Sequence, residues 1–389
     1  MKNFDYYQPT KIAYGCGRLS EVGKIVAQYG KRCLLVSVPA FPEIEPVYDK
    51  VKALLQDANV AVAHFDGVIP NPTIATINAG TNVAKAHRAD VVLGLGGGSS
   101  MDAAKAIAVE ATHEGSCWDY LFYKQAPTEK TLPIIAVTTT SGTGSHVTQV
   151  AVVTNTAEKD KSALYNDNIL PRVAVVDPEL MLTVPPKTTA CTGFDVFAHA
   201  FESFIHPAGS PYTDLLAKEA MTLVVNNLPS VVQEGSNLEG RKALAWADTL
   251  SGLCIKSAGV TLPHGIGMAI GGMYPHVAHG EALALVYPEF MRYTFRSAVS
   301  QFAAAGRLLN PDQEASPDET AAEASCGGIE NFLKQIGLWK GLKDVAVPEN
   351  ELDQLAHASM VLPDYKNNPR IAGYEEMRGL LQSCYASKR

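Results

Sequence analysis

The chain has 389 residues, 47% hydrophobic and 19% charged, long enough for about two domains with substantial cores. A formal charge of −8 argues against a nucleic acid or an anionic membrane as partner, since either would want a basic face. No run reaches the roughly 18 uncharged apolar residues of a membrane span. The opening MKNFDYYQPTKIAYG lacks a signal peptide's apolar segment, and the seven scattered cysteines contain no CxxC pair, so a cytoplasmic protein without a disulfide frame is expected.

Strand-like runs come first: KRCLLVSV (31–38), VAVAHFDG (60–67), ADVVLGLG (89–96), LPIIAVTT (132–139) and RVAVVDP (172–178). Helical patterns separate them over 44–58, 73–87 and 99–112. Continuous Val/Ile/Leu strands alternating with helices predict a parallel sheet buried on both faces. After the Pro-Pro pair at 185–186 the strand runs give way to Ala/Leu-rich helical patterns over 190–206, 211–228 and 238–258. The expected architecture is an α/β domain over 1–186 followed by an all-helical domain over 187–389.

Two loops of the first half carry ligand-binding chemistry. Strand 89–96 ends in Gly96-Gly97-Gly98, and a helix opens at Ser99 with Asp102 and Lys105 in its first turns. Glycines let backbone approach a ligand closely, and free N–H groups at a helix N-terminus suit a pyrophosphate. The spacing is not G-x-G-x-x-G, so this stretch taken alone also reads as a Gly-rich turn. After strand 132–139 comes TTTSGTGSHVT (138–148), again at the C-terminal end of a parallel strand, where α/β sheets bind ligands. A dinucleotide is the natural occupant of the pair.

In the second half, GFDVFAHAFES places Asp195 and His199 four residues apart, on one face of a helix. Alone, that pair reads equally as a helical ion pair. Five of the ten histidines, however, fall between 199 and 279, three of them in LPHGIGMAIGGMYPHVAHG (262–280). Asp195, His199, His264 and either His276 or His279 would make a site of three nitrogens and one carboxylate, suited to Fe²⁺ or Zn²⁺.

The chain resembles the iron-containing (group III, metal-dependent) alcohol dehydrogenases over nearly its whole length. The motifs carrying the likeness are PTKIAYGCG, PNPT, GGGSSMDAAK, TTSGTGS, RVAVVDPEL, TGFDVFAHAFES, PHG, HGEALALVYP and DYKNNPR, in that order. The resemblance implies a dinucleotide-binding α/β domain, a helical metal-binding domain and an active site in the cleft between them. By position it implies the metal ligands Asp195, His199, His264 and His279. It also implies cofactor contacts from Asn71, Gly97, Gly98, Ser99, Asp102, Thr139, Thr140, Thr143, Ser145, Lys161 and Leu180. Homodimers or larger homo-oligomers are usual in the family.

Several positions depart from the family pattern. Met268 stands where a second histidine usually serves proton relay, which leaves His276 as a candidate stand-in. Val38 replaces the acidic residue that often holds the adenosine ribose; with no arginine nearby, NAD(H) is expected, and NADP is left open. His146 replaces a glutamate and reads as a surface-loop substitution. Lys256, eight residues before His264, either snorkels to solvent or holds the anionic tail of a substrate such as sulfoacetaldehyde. The resulting expectation is a metal- and NAD(H)-dependent oxidoreductase that interconverts a short aldehyde and its primary alcohol. The alternative is a dehydroquinate-synthase-like lyase, which would need more basic residues than this region offers.

Overall fold

The computed structural model describes residues 3–386. Its strands are Lys11–Tyr14 (β1), Arg32–Val36 (β2), Ala61–Phe65 (β3), Val91–Gly96 (β4), Ile134–Thr138 (β5), Val150–Asn155 (β6), Asp160–Tyr165 (β7) and Val173–Val176 (β8). The helices of the same half are Val22–Val26 (α1), Glu45–Asp57 (α2), Ile74–His87 (α3) and Gly98–Glu110 (α4). Then follow Pro186–Ile205 (α5), Pro211–Gln233 (α6), Leu238–Ser257 (α7), Leu262–Met273 (α8), His279–Thr294 (α9), Val299–Leu309 (α10), Asp318–Gln335 (α11), Leu352–Ala358 (α12) and Tyr374–Ala386 (α13).

Six strands form one parallel sheet in the order β1-β8-β5-β4-β2-β3. Alternate side chains leave the sheet on opposite faces, and they enter two separate cores. Leu34, Val36 and Val92 pack with Ile77 of α3 and the alanines of α4. Cys33, Leu35, Val91 and Leu93 pack with Val22 of α1 and with Tyr48 and Val51 of α2. Both faces are therefore covered, and β4, β5 and β8 are buried throughout. Strand β3 lies at the sheet edge and is only half-buried, which departs from the expectation that all the strands are enclosed.

The antiparallel hairpin β6–β7 is absent from the sequence expectation. Its connection carries no glycine; Asn155 Oδ1 accepts from the Ala157 and Glu158 N–H groups at 3.1 and 3.4 Å, and the left-handed position falls on Lys159, at φ 53°, a conformation such residues seldom adopt. The hairpin braces the ligand-binding end of the sheet, since the Thr154 N–H donates to the Pro72 carbonyl at 2.8 Å.

The described residues divide into two compact units, one comprising Tyr7–Val184 with Ser236–Ala245, the other residues 3–6, 185–235 and 246–386. The first turns of α7 thus group with the α/β unit, where the Arg241 guanidinium donates to the Val184 carbonyl. A single sequence boundary at 186 does not capture this return. In the helical unit, Phe194, Phe197 and Phe201 of α5 form one stripe at helical spacing. That stripe packs on Tyr287 and Phe290 of α9, Phe302 of α10 and Phe332 of α11. Among the described residues, no single helix is long and apolar enough to cross a membrane.

Candidate active site

In the α/β unit, Gly96 leaves β4 at φ 146°, a backbone state that favours glycine, and Gly97 caps α4 without a side-chain hydrogen bond. No acidic residue occupies the first turn of α4, so the positive end of the helix dipole is unopposed. The Thr139 N–H donates to the Gly96 carbonyl at 3.0 Å, which sets the 139–148 loop beside this turn. A Cβ on Gly98 would lie 2.5 Å from Thr143 Cγ2, and one on Gly97 would lie 3.1 Å from Thr140 Oγ1. The cradle therefore has room for backbone only, as a phosphate site requires.

Asn71, held in the left-handed region at φ 54°, accepts a 2.8 Å hydrogen bond from Lys161 Nζ. The structure thus joins two expected cofactor residues from distant parts of the chain. Gly97, Ser99, Thr140 and Thr143 are half-exposed around the cradle, whereas Gly98 and Thr139 are buried. Leu180 packs partly buried against the core.

Asp102 and Ser145, two further expected cofactor residues, are joined to each other. Ser145 Oγ donates to Asp102 Oδ1 at 2.6 Å, and Val152 N–H donates to Asp102 Oδ2 at 3.1 Å. Lys105, fully buried, donates from Nζ to Ser145 Oγ, the Thr148 carbonyl and the Val150 carbonyl at 2.7–2.9 Å. Burial pulls the Lys105 ammonium down to about 8, against the Asp102 carboxylate, which raises it. These groups form the floor beneath the loop. His146 lies there too, fully buried, which corrects its reading as a surface substitution; desolvation lowers its imidazole to about 3, so it packs as a neutral ring.

In the helical unit, Asp195, His199 and Glu202 follow one another at spacings of four and three along α5, one face of the helix beside the phenylalanine stripe. Asp195 Oδ1 lies 3.6 Å from His199 Nε2, 3.5 Å from His264 Nε2 and 3.8 Å from His279 Nε2. Asp195, His199 and His264 are buried, with one ligand atom from each lying within 4.8 Å of the others. The rings of His199 and His264 stack at 4.6 Å, and His279 stands edge-on to His264 at 5.4 Å. Oδ1 of Asp195 and Nε2 of His264 are buried without a hydrogen-bond partner. A buried carboxylate oxygen and a buried imidazole nitrogen left in that state are costly, and a divalent cation shared among the four side chains would satisfy both.

The electrostatics agree. Burial opposes ionisation of Asp195, but the imidazoles of His199, His279 and His264 outweigh it and hold the carboxyl at about 2. Burial would likewise lower His264, yet the carboxylates of Glu202 and Asp195 push it up to about 10. Positive charge at this point is favoured, and a metal ion is one form of it.

Glu202 is the residue that sequence reasoning missed. Wholly buried, its Oε1 lies 2.8 Å from His264 Nδ1, while its Oε2 accepts from the Thr261 N–H at 2.8 Å. A carboxylate on Nδ1 fixes the ring and its tautomer so that Nε2 faces the ligand cluster. The signal was present in AHAFES, three residues past His199 on the same helical face.

The two residues expected to take part in catalysis lie outside this cluster of ligand atoms. His276, the candidate stand-in for a relay, is exposed, with Nε2 2.9 Å from the Val345 carbonyl. Lys256 is half-buried in the last turn of α7.

Family models match both halves of the chain. Residues 9–178 match iron-containing alcohol dehydrogenase, and residues 189–385 match the C-terminal part of the Fe-containing alcohol dehydrogenase family. The chain belongs to the iron-containing alcohol dehydrogenase family. It is 31% identical to the NAD-dependent methanol dehydrogenase of Bacillus methanolicus, over 98% of this chain and 99% of that one. Among solved structures it is similar to an archaeal halo-thermophilic Red Sea brine pool alcohol dehydrogenase, with a TM-score of 0.93, 30% identity, and coverage of 99% of this chain and 100% of the other. It is also similar to the sulfoacetaldehyde reductase of Bifidobacterium kashiwanohense in complex with NAD⁺, with a TM-score of 0.85, 30% identity and full coverage of both chains.

Two substitutions separate the halves of this family's machinery. Glu202→Gln should weaken divalent-metal binding by about 10–100-fold, read by competition with a chromophoric chelator, and leave NADH affinity unchanged. Gly98→Ala should do the reverse, weakening NADH binding about tenfold as the new Cβ displaces Thr143, with metal affinity intact.

Proposed function

We propose that this alcohol dehydrogenase family oxidoreductase interconverts a short aldehyde and its primary alcohol, using NAD(H) and one divalent ion, Fe²⁺ or Zn²⁺. The observation that carries the reading is the convergence of Asp195, His199, His264 and His279, with Asp195 Oδ1 and His264 Nε2 buried and unsatisfied. When bound, the ion supplies a Lewis acid for the alcohol or carbonyl oxygen, and the dinucleotide supplies the hydride carrier.

The chain's own residues do the rest. Asp195 brings the single negative charge of the proposed ligand set, which leaves a divalent site net positive and suited to an oxygen on which negative charge develops. Glu202 keeps the His264 proton on Nδ1. The aromatic core behind α5 keeps water from the back of the site. Asn71, Lys161, Thr139, Thr140, Thr143 and the Gly97-Gly98-Ser99 turn hold the dinucleotide, while Asp102, Ser145 and Lys105 brace the loop from below. Buried Met268 in α8 offers no ionisable group for the substrate proton, and His276 is exposed on the Val345 carbonyl, so the proton exchanges with solvent. NAD(H) rather than NADP(H) fits a ribose end that lacks arginine near Val38. Reduction of the aldehyde is the proposed physiological direction, and a cytoplasmic setting fits seven cysteines that form no disulfide.

For the substrate, we infer an anionic aldehyde such as sulfoacetaldehyde, with Lys256 on its charged tail. The likeness to the sulfoacetaldehyde reductase supports this choice. The deciding experiment follows NADH oxidation by Fe²⁺- or Zn²⁺-reconstituted protein with C2–C4 aldehydes, neutral and anionic, for wild type and Lys256→Ala. Steady-state turnover is expected with at least one aldehyde, and its absence with all of them would favour the lyase reading. Losing one charge-assisted hydrogen bond should raise KM for the anionic aldehyde by about tenfold or more and spare the neutral ones. Equal effects on both classes would reject the role of Lys256.

A further inference from the structure

His279 differs from the other proposed ligands in how it is held. Its side chain is 23% exposed, against 7% or less for Asp195, His199 and His264. It lies farthest from Asp195 Oδ1 of the three histidines, and it stands at the first position of α9 rather than inside a helix. The next two residues dock that helix end. Gly280 lies against the backbone of α5: a Cβ there would fall 1.9 Å from the Cys191 carbonyl oxygen, so only glycine allows the approach. Glu281, with its side chain 4% exposed, accepts from Lys340 Nζ at 2.8 Å through Oε1 and pairs with Lys187 Nζ at 3.2 Å through Oε2. Lys187 sits in the first turn of α5, the helix that carries Asp195 and His199, and Lys340 lies in the segment after α11.

We propose that Glu281, gripped by Lys340 and Lys187, is a positioning residue that sets His279 against Asp195 and thereby sets the affinity of the site for its metal. The inference rests on the metal-site reading above. Glu281 binds no ligand atom itself. It couples the start of α9 to the start of α5 through a carboxylate shielded from water, where losing one partner leaves a poorly compensated charge. The competing explanation is a purely structural one, in which an acidic residue in the first turn of α9 favours the helix dipole. On that view stability would fall and metal affinity would not move.

The test measures Zn²⁺ Kd by chelator competition on the full-length protein, together with thermal stability and NADH affinity, for wild type, Lys340→Met, Lys187→Met, Glu281→Gln and the Glu281→Gln/Lys340→Met double variant. Lys340→Met and Glu281→Gln should each raise the Zn²⁺ Kd about tenfold, in the range of other supporting-residue losses. Lys187→Met should raise it less, because Lys187 is 67% exposed and its pair is longer. The double variant should bind no more weakly than the worse single one, since both remove the same interaction, and NADH affinity should stay at the wild-type value. Should Glu281→Gln not fold, Lys340→Met decides, because it alters a partly exposed side chain. Unchanged Zn²⁺ Kd with lowered stability overturns the proposal. Absence of Zn²⁺ and Fe²⁺ binding in the wild type would instead overturn the metal-site reading beneath it.

Discussion

A single buried carboxylate, Asp195, organises the helical half. Three imidazoles from α5, α8 and α9 bring nitrogens to within 3.5–3.8 Å of its Oδ1, too far for hydrogen bonds and close enough to share a cation. An ionised carboxylate enclosed in a helical core is tenable only when compensated. The design of α5 follows from that need. Its phenylalanines anchor one stripe in the core while Asp195, His199 and Glu202 share another. Glu202 then extends the pattern outward, taking His264 by Nδ1 and the backbone of Thr261 by its second oxygen. The turn that starts α8 and the orientation of its first histidine are therefore fixed by the same group.

The α/β half solves a related problem with different means. Helix α4 is buried on nearly all sides, yet it carries Asp102 and Lys105. They remain there because they compensate each other and because Ser145, Thr148, Val150 and Val152 satisfy their hydrogen-bonding atoms. The outcome is a rigid floor under the 139–148 loop, above which glycine backbone and threonine hydroxyls are left for a ligand. Sheet, loop and hairpin meet at the C-terminal ends of the strands, the end of an α/β sheet where ligands bind.

Much of this was legible in the sequence because the strongest signals were local. Continuous apolar runs rich in Val, Ile and Leu marked β2, β4, β5 and β8, and the glycines at 96–98 marked the turn into α4. The i, i+4 spacing of Asp195 and His199 marked the helix face on which the buried carboxylate and imidazoles gather. What escaped depended on contacts across long sequence separations. The β6–β7 hairpin turns on a lysine in the left-handed region, which composition does not flag. His146 occupies a polar loop, yet the loop folds inward over Lys105. His264, His276 and His279 look equivalent in one glycine-rich stretch, and only the docking of α8 and α9 shows two rings turned inward and one held at the Val345 carbonyl. Glu202 was visible as a letter on the right helical face, but its role emerges only with Thr261 and His264 beside it.

The most direct measurement of the account is metal stoichiometry against turnover. Metal-stripped protein would be titrated with Fe²⁺ or Zn²⁺ while bound metal and NADH-dependent aldehyde reduction are followed together, in wild type and in Asp195→Ala. The account predicts that turnover rises in proportion to bound ion, saturates at one ion per chain, and is lost together with tight binding in the variant. Full turnover in the stripped protein, or retention of the ion by Asp195→Ala, would contradict it.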